Sequence, residues 1–333
     1  MTKNFLHPLK LAPVHEVAAW AGSLLPEHVV AATGAPAPAG TAVRWGLFCT
    51  STGSNQVVNG SAAGSSLAEF FHAAPEALVG SRYRPGQPFP LYVRLIDAGQ
   101  PQPLQVHAAV ELPGLGTRFL ENNKLWHVVA SQPGAQIGVG FASSHSRYRF
   151  TDKKDGLHFE NLVKQFPANP HDSFYIPAGR LHNLNGGTLI WEIGQVPATP
   201  LRIADLSSGI DVPREEHEAA VKQINFLDHQ IARISNEASS SLRTRRIRIL
   251  PYCPHFFVDE IRLYDRLYDK TDPAVFSALI ILEGTMEIRA HETTETFHAG
   301  DVCLLPAGLG DYGMFSLGGE VRMLQVTPNV FTK

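Results

Sequence analysis

The chain has 333 residues, 44% of them hydrophobic and 18% charged, with a formal net charge of −3. That is enough material for one or two ordinary globular domains, and the near-neutral balance gives no bulk electrostatic drive toward nucleic acid or a membrane surface. The opening MTKNFLHPLKLAPVHEV lacks the apolar run of a secretory signal, no stretch of about eighteen apolar residues follows, and Cys49, Cys253 and Cys303 lie far apart. A soluble protein of the reducing cytoplasm is expected, without a disulfide framework or a thiolate metal cluster.

In chain order, SSLAEFFHAAPEAL (65–78) reads as helix with serines available to cap it. Short β-branched and aromatic runs punctuated by Gly and Pro then read as strands at 90–97, 104–110, 125–131, 135–141, 172–178 and 188–194. REEHEAAVKQINFLDHQIARI (214–234) is apolar at intervals of three and four and predicts a second helix. The Ser-rich and basic NEASSSLRTRR after it reads as a connector with little to bury. A second strand series follows at 256–264, 277–284, 285–291, 301–307 and 321–327. The pattern as a whole predicts a mainly β protein of antiparallel sheets.

LQVHAAV (104–110) puts Gln105 and His107 two residues apart, on one face of a strand, where they can converge on one ligand. An isolated Gln-x-His pair is met more often on the wet side of a half-exposed strand. A weak internal repeat links HDSFYIPAGRLHNL (171–184) to AGDVCLLPAGLGDYGM (299–314), each with Asp, an apolar run and Pro-Ala-Gly. His182 follows the first copy, whereas Asp311 and Tyr312 follow the second. Trp126 and His127 alternate faces, so only one can meet a pocket on that side, and His291 and His298 read as solvated hairpin residues.

The Asp-apolar-Pro-x-Gly-x-x-His arrangement resembles the second motif of cupins, which are double-sheet jelly rolls. More closely, the ordered series PLKLAPV, VVNGSAAGSSLAEFF, FPLYVRLIDA, LQVH, LWHVVASQPGAQIGVGF, DSFYIPAGRLHNL, TPLRIADL, SALIILEGTMEI and GDVCLLPAGLGDY resembles the type I mannose-6-phosphate isomerases. The resemblance implies two cupin-type jelly-roll barrels with a small helical segment: a first cupin at 1–212, a helical connector at 213–245 and a second cupin at 246–333. It implies zinc or another divalent metal in the first barrel, held by Gln105, His107 and His182, and Arg202 at the active site. It also implies a small sugar or sugar phosphate as substrate, and a metal that polarises the sugar carbonyl during aldose–ketose proton transfer.

The sequence departs from that family where it reads Lys-x-Glu-x-Trp. Aligned on Trp126, Asn122 stands at the Lys and Lys124 at the Glu, and an ammonium cannot replace a carboxylate ligand. A bulge would bring Glu121 in as fourth ligand, and Lys124 would then serve as an anion contact. Pro103 stands where the family has a phosphate-contacting serine, and Ala108 and Ala109 replace Pro and a polar residue. Two other readings follow from the same residues. One is a catalytically inactive or regulatory carbohydrate-binding cupin with Lys124 in place of the cation. The other is an oxygenase or epimerase using iron or manganese.

Overall fold

The computed structural model describes residues 6–29, 36–111, 119–120, 122–143, 150, 161–205, 211–228, 231–234, 244–249, 253 and 255–329. The first barrel is made of two sheets. Its large sheet runs Arg233–Ile234, Ser173–Ile176, Lys124–Ser131, Thr188–Gly194, Tyr92–Ala98, Thr41–Leu47 and Val14–Val17. The facing sheet runs Val163–Pro167, Gln136–Phe141, His182–Leu184, Leu104–Val106 and Leu201–Ala204. In the second barrel a six-stranded sheet, ordered Leu9–Lys10, Val302–Leu305, Ser277–Glu283, Val321–Pro328, Phe256–Leu263 and Thr244–Arg248, faces a four-stranded one. The pairings are antiparallel, as the expected mainly β, two-barrel architecture requires.

Three apolar clusters explain the layering. Trp126, Val128, Ile137, Val139, Phe174, Ile176 and Ile190 fill part of the first barrel, and Ile261, Leu279, Ile281, Met286, Ile288, Met314 and Met323 fill the second. Between the barrels, the outward faces of both large sheets share one core that includes Leu125, Leu189, Trp191 and Ile193 on one side and Phe256, Val258, Ile280, Leu304 and Leu324 on the other. TLIWEIG is therefore buried on both faces, which is why it reads as an almost unbroken apolar run with one acid in it. The first strand, Leu9–Lys10, pairs not with its neighbours in sequence but with Leu304 and Cys303 of the second barrel.

Local sequence accounts for most element ends. Ser66 accepts from the Glu69 backbone N–H while the Glu69 carboxylate accepts from the Ser66 N–H, a capping box that starts the helix Leu67–Ala73. Pro75 then splits the expected 65–78 helix, because the residue before a proline is driven out of the helical region, and a short helix Pro75–Val79 follows. The expected 214–234 helix stops early, at Gln223, with Ile224 extended. Beyond it the Asn225 N–H binds the Gly179 carbonyl, Asp228 pairs with Arg180, and Arg233 joins the large sheet, so tertiary partners outcompete helical periodicity. Most of the predicted connector NEASSSLRTRR, at 236–243, lies outside the described residues.

Trp191 sits in the shared core at 1% exposure. Trp191→Ala is expected to cost about 3–5 kcal/mol. Urea unfolding should show a lowered midpoint and a single transition, because both barrels lean on that core.

Candidate active site

Strand register decides which side chains of the large sheet look into the first barrel. Trp126 lies opposite Glu192, Glu192 opposite Arg94, and Arg94 opposite Trp45. Directly paired residues share a face, so these four form a row across the barrel floor. In the next row Lys124 lies opposite Gly194 and Gly194 opposite Tyr92. A Cβ on Gly194 would come within 2.6 Å of the Tyr92 ring. Glycine there leaves the room in which Tyr92 and Lys124 both reach Glu192.

Glu192, 2% exposed, is the hub of this network. Its Oε1 accepts from the Tyr92 hydroxyl at 2.8 Å and from Arg94 Nε at 2.8 Å and Nη2 at 2.7 Å, and its Oε2 accepts from Trp126 Nε1 at 2.7 Å. Lys124 Nζ stands 3.7 Å from Oε1. Burial alone would push the carboxyl up, yet Arg94 and Lys124 hold it well below the usual carboxylate range. Burial pulls the Lys124 ammonium down to about 8, with Glu192 opposing. The pair is thus ionised at neutral pH.

The facing sheet brings the imidazoles. Leu104, Val106 and Ile203 point outward against Ala220 and Val221 of the helix Arg214–Gln223, which turns Gln105 inward by alternation. Gln105 lies opposite both His182 and Arg202. The strand ends at Val106, and His107 is held just past it by its carbonyl, which accepts from the Gly179 N–H at 3.0 Å. Gly179, at φ +82°, is the third residue of the Pro177–Arg180 turn, and a Cβ on it would meet the Gln223 carbonyl at 2.9 Å. The His107 and His182 rings stack at 4.6 Å with planes 8° apart, and Trp126 meets His182 edge-on at 5.3 Å.

Partners fix the tautomers. His182 Nδ1 lies 2.8 Å from the Arg180 carbonyl, which can only accept, so Nδ1 carries the proton and Nε2 keeps its lone pair. That Nε2 is buried with no hydrogen-bond partner among the described residues. His107 Nε2 faces the Lys124 ammonium, which can only donate, so the His107 proton is on Nδ1. Burial takes His182 down to about 4 and His107 well below its ordinary value, leaving both rings neutral.

The residues singled out in the sequence therefore divide. Gln105, His107, His182 and Lys124 come together inside the first barrel. Arg202 shares the sheet of Gln105 and His182, but its guanidinium binds Glu216 through Nε at 2.8 Å and Nη2 at 2.7 Å and is partly exposed. Glu121 lies outside the described residues. Trp126 faces the site, whereas His127 faces away toward the second barrel, with Nδ1 on Ser173. His291 Nε2 meets the Leu309 carbonyl and His298 Nδ1 meets Thr285. Glu192, Arg94 and Tyr92 were missed in the sequence. The available signal was one acid and one arginine, each embedded in a strand otherwise buried, at positions only register could bring together.

Two lone-pair nitrogens and an amide are the beginning of a metal site, but the donor set goes no further. The fourth position holds an ammonium, itself neutralised by the nearest carboxylate, and that carboxylate is already saturated by Arg94, Tyr92 and Trp126. Among the described residues no cluster of three His, Cys, Asp or Glu side chains is placed to hold a metal. As arranged, these residues do not fit a divalent cation.

Glu192→Gln would leave Lys124 and Arg94 without their counterion, and a loss of about 3–5 kcal/mol is expected in urea unfolding. His127 offers a pH test. Burial, with Arg322 and His171 beside it and Glu260 opposing, lowers it from 6.5 to about 3. The unfolded chain takes the proton more readily, so this contribution to stability is complete above about pH 6.5 and is lost as pH falls toward 3. Between pH 7 and 5 wild type should lose about 2 kcal/mol more than His127→Gln.

No family model matches the chain. It is similar to the probable mannose-6-phosphate isomerase GmuF of Bacillus subtilis, 26% identical over 312 residues covering 92% of this chain and 95% of that protein. It is also similar to mannose-6-phosphate isomerase ManA of the same organism, 24% identical over 317 residues with 92% and 95% covered. The crystal structure of the Bacillus subtilis mannose 6-phosphate isomerase superposes with a TM-score of 0.78 over 96% of this chain and 99% of that one, at 22% identity. The apo form of the Salmonella typhimurium enzyme gives 0.71 over 98% and 100%, at 14% identity. Similarity to mannose-6-phosphate isomerases thus runs nearly end to end along the chain, in sequence and in fold alike.

Proposed function

We propose that the chain is an aldose–ketose isomerase acting on a sugar phosphate, with mannose 6-phosphate the substrate to which its relatives' names point. The observation that carries this reading is the meeting of Gln105, His107, His182 and Lys124 on facing sheets of one barrel. The interior of the second barrel is filled instead by apolar side chains that include Met286, Ile288 and Met314. The wide separation of the three cysteines along the chain supports a reducing compartment such as the cytoplasm.

The reaction moves a proton from C2 of the open-chain sugar to C1 and another from the C2 hydroxyl to the C1 oxygen. The C2–H electron pair becomes the C1–C2 double bond of an enediolate and then the new C1–H bond, while the pair of the C2 O–H bond becomes the new carbonyl, so no oxidant or reductant is consumed. Stabilising the charge on the carbonyl oxygen and relaying protons are the two demands. His182, neutral and with a free Nε2 lone pair, is the proton acceptor in the pocket. Gln105 and His107 Nδ1 offer hydrogen bonds to sugar hydroxyls. Arg202 serves in this reading as the contact to the phosphate or the enediolate, supported by its register opposite Gln105, its partial exposure and its pairing with Glu216. Zinc, which the resemblance implies, is given no step because the donor set does not complete its coordination.

A coupled assay converting mannose 6-phosphate to fructose 6-phosphate tests the reading. His182→Gln should lower kcat by about a hundredfold or more while circular dichroism stays native. Arg202→Ala should chiefly raise KM. Sugar-phosphate binding without turnover in wild type would replace the isomerase with a carbohydrate-binding role.

A further inference from the structure

Three observations about Lys124 belong together. It is a buried cation, 1% exposed, in the middle of a β-barrel. Its Nζ lies against the lone pair of His107 Nε2, and the neighbouring His182 Nε2 lone pair has no partner among the described residues. It is fixed from behind by Glu192, which is fixed in turn by Arg94, Tyr92 and Trp126. Imidazole lone pairs on one side and a carboxylate on the other are the surroundings a metal ion would choose, and here they surround an ammonium.

We propose that Lys124 is the resident cation of the first barrel, that it and a divalent metal exclude one another, and that its ammonium meets the sugar carbonyl oxygen. Coulomb repulsion and occupied volume both enforce the exclusion: a second cation beside His107 would stand within contact distance of the ammonium, in a site where charges are poorly screened. The same position suits the chemistry. As C2 loses its proton, negative charge gathers on the C1 oxygen, and an ammonium beside the two imidazoles donates a charge-assisted hydrogen bond to it. Half-buried Gln105 and Arg94 are the more exposed members of the constellation. Met in place of Lys124 removes the charge and keeps the length. Glu in its place supplies the carboxylate that two imidazoles and an amide lack.

The catalytic part of this inference rests on the isomerase reading, whereas the exclusion part does not, and the experiment separates them. Protein stripped with chelator is dialysed against Co2+ and followed by elemental analysis and visible absorption. Wild type should retain no stoichiometric cobalt, while Lys124→Glu should bind one equivalent about a hundredfold more tightly, with the absorption of tetrahedral cobalt. Because a new carboxylate beside Glu192 can unfold the apo protein, the Lys124→Glu/Glu192→Gln double variant is measured alongside. Wild type holding one tight equivalent that is lost in His182→Gln overturns the exclusion. In the assay, turnover should survive chelator and fall at least about a hundredfold in Lys124→Met; turnover abolished by chelator and restored by metal overturns the catalytic part. Absence of turnover under every condition defeats the isomerase reading and with it the catalytic part, and the cobalt measurement still decides the exclusion.

Discussion

A carboxylate at the floor of a β-barrel has to be compensated where it stands, and the organisation of the first barrel follows from how Glu192 is compensated. Desolvating an anion there costs several kcal/mol unless cations and donors meet it. Arg94 and Trp126 flank it in the same row, and Tyr92 and Lys124 reach it across the bare backbone of Gly194. Neither cation makes sense without the acid. Lys124 in particular is too deep to be hydrated, so its charge is retained through Glu192. The imidazoles on the opposite sheet then meet an ammonium whose position is already set.

Much of this was legible in the sequence wherever a local rule was enough. TLIWEIG shows itself as a doubly buried strand, and alternation alone puts Gln105 on the face opposite Leu104 and Val106. The turn chemistry of Pro-Ala-Gly places His182 at the start of its strand, opposite Gln105. Lys124 stood out as a residue of the wrong charge. What it was bonded to stayed hidden, because Glu192 and Lys124 are brought together by a strand register that no spacing encodes. The end of the helix at Gln223 was hidden for a related reason: the pull on Asn225 and Asp228 comes from Gly179 and Arg180, far away in the chain.

The two barrels repeat one strand-turn-strand unit yet differ in what they contain. In the second, the Pro-Ala-Gly turn leads to Asp311, exposed and opposite Lys270, while Met and Ile side chains close the interior. The first barrel exchanges part of that apolar filling for charges and imidazoles. Shared fold therefore gives no shared chemistry, even within one chain. The common core between the large sheets lets the second barrel act as a rigid back wall for the strands that carry Lys124 and Glu192.

The pairing of Leu9–Lys10 with Val302–Leu305 sets an order on assembly that the finished structure conceals. A ribosome releases Leu9 long before its partner strand. Until that strand is made the growing polypeptide carries an unpaired edge segment, beside a first barrel whose outward apolar face also lacks its cover. Closure of both belongs to the moment the strands of the second barrel arrive, so an early segment and a late one seal the molecule together.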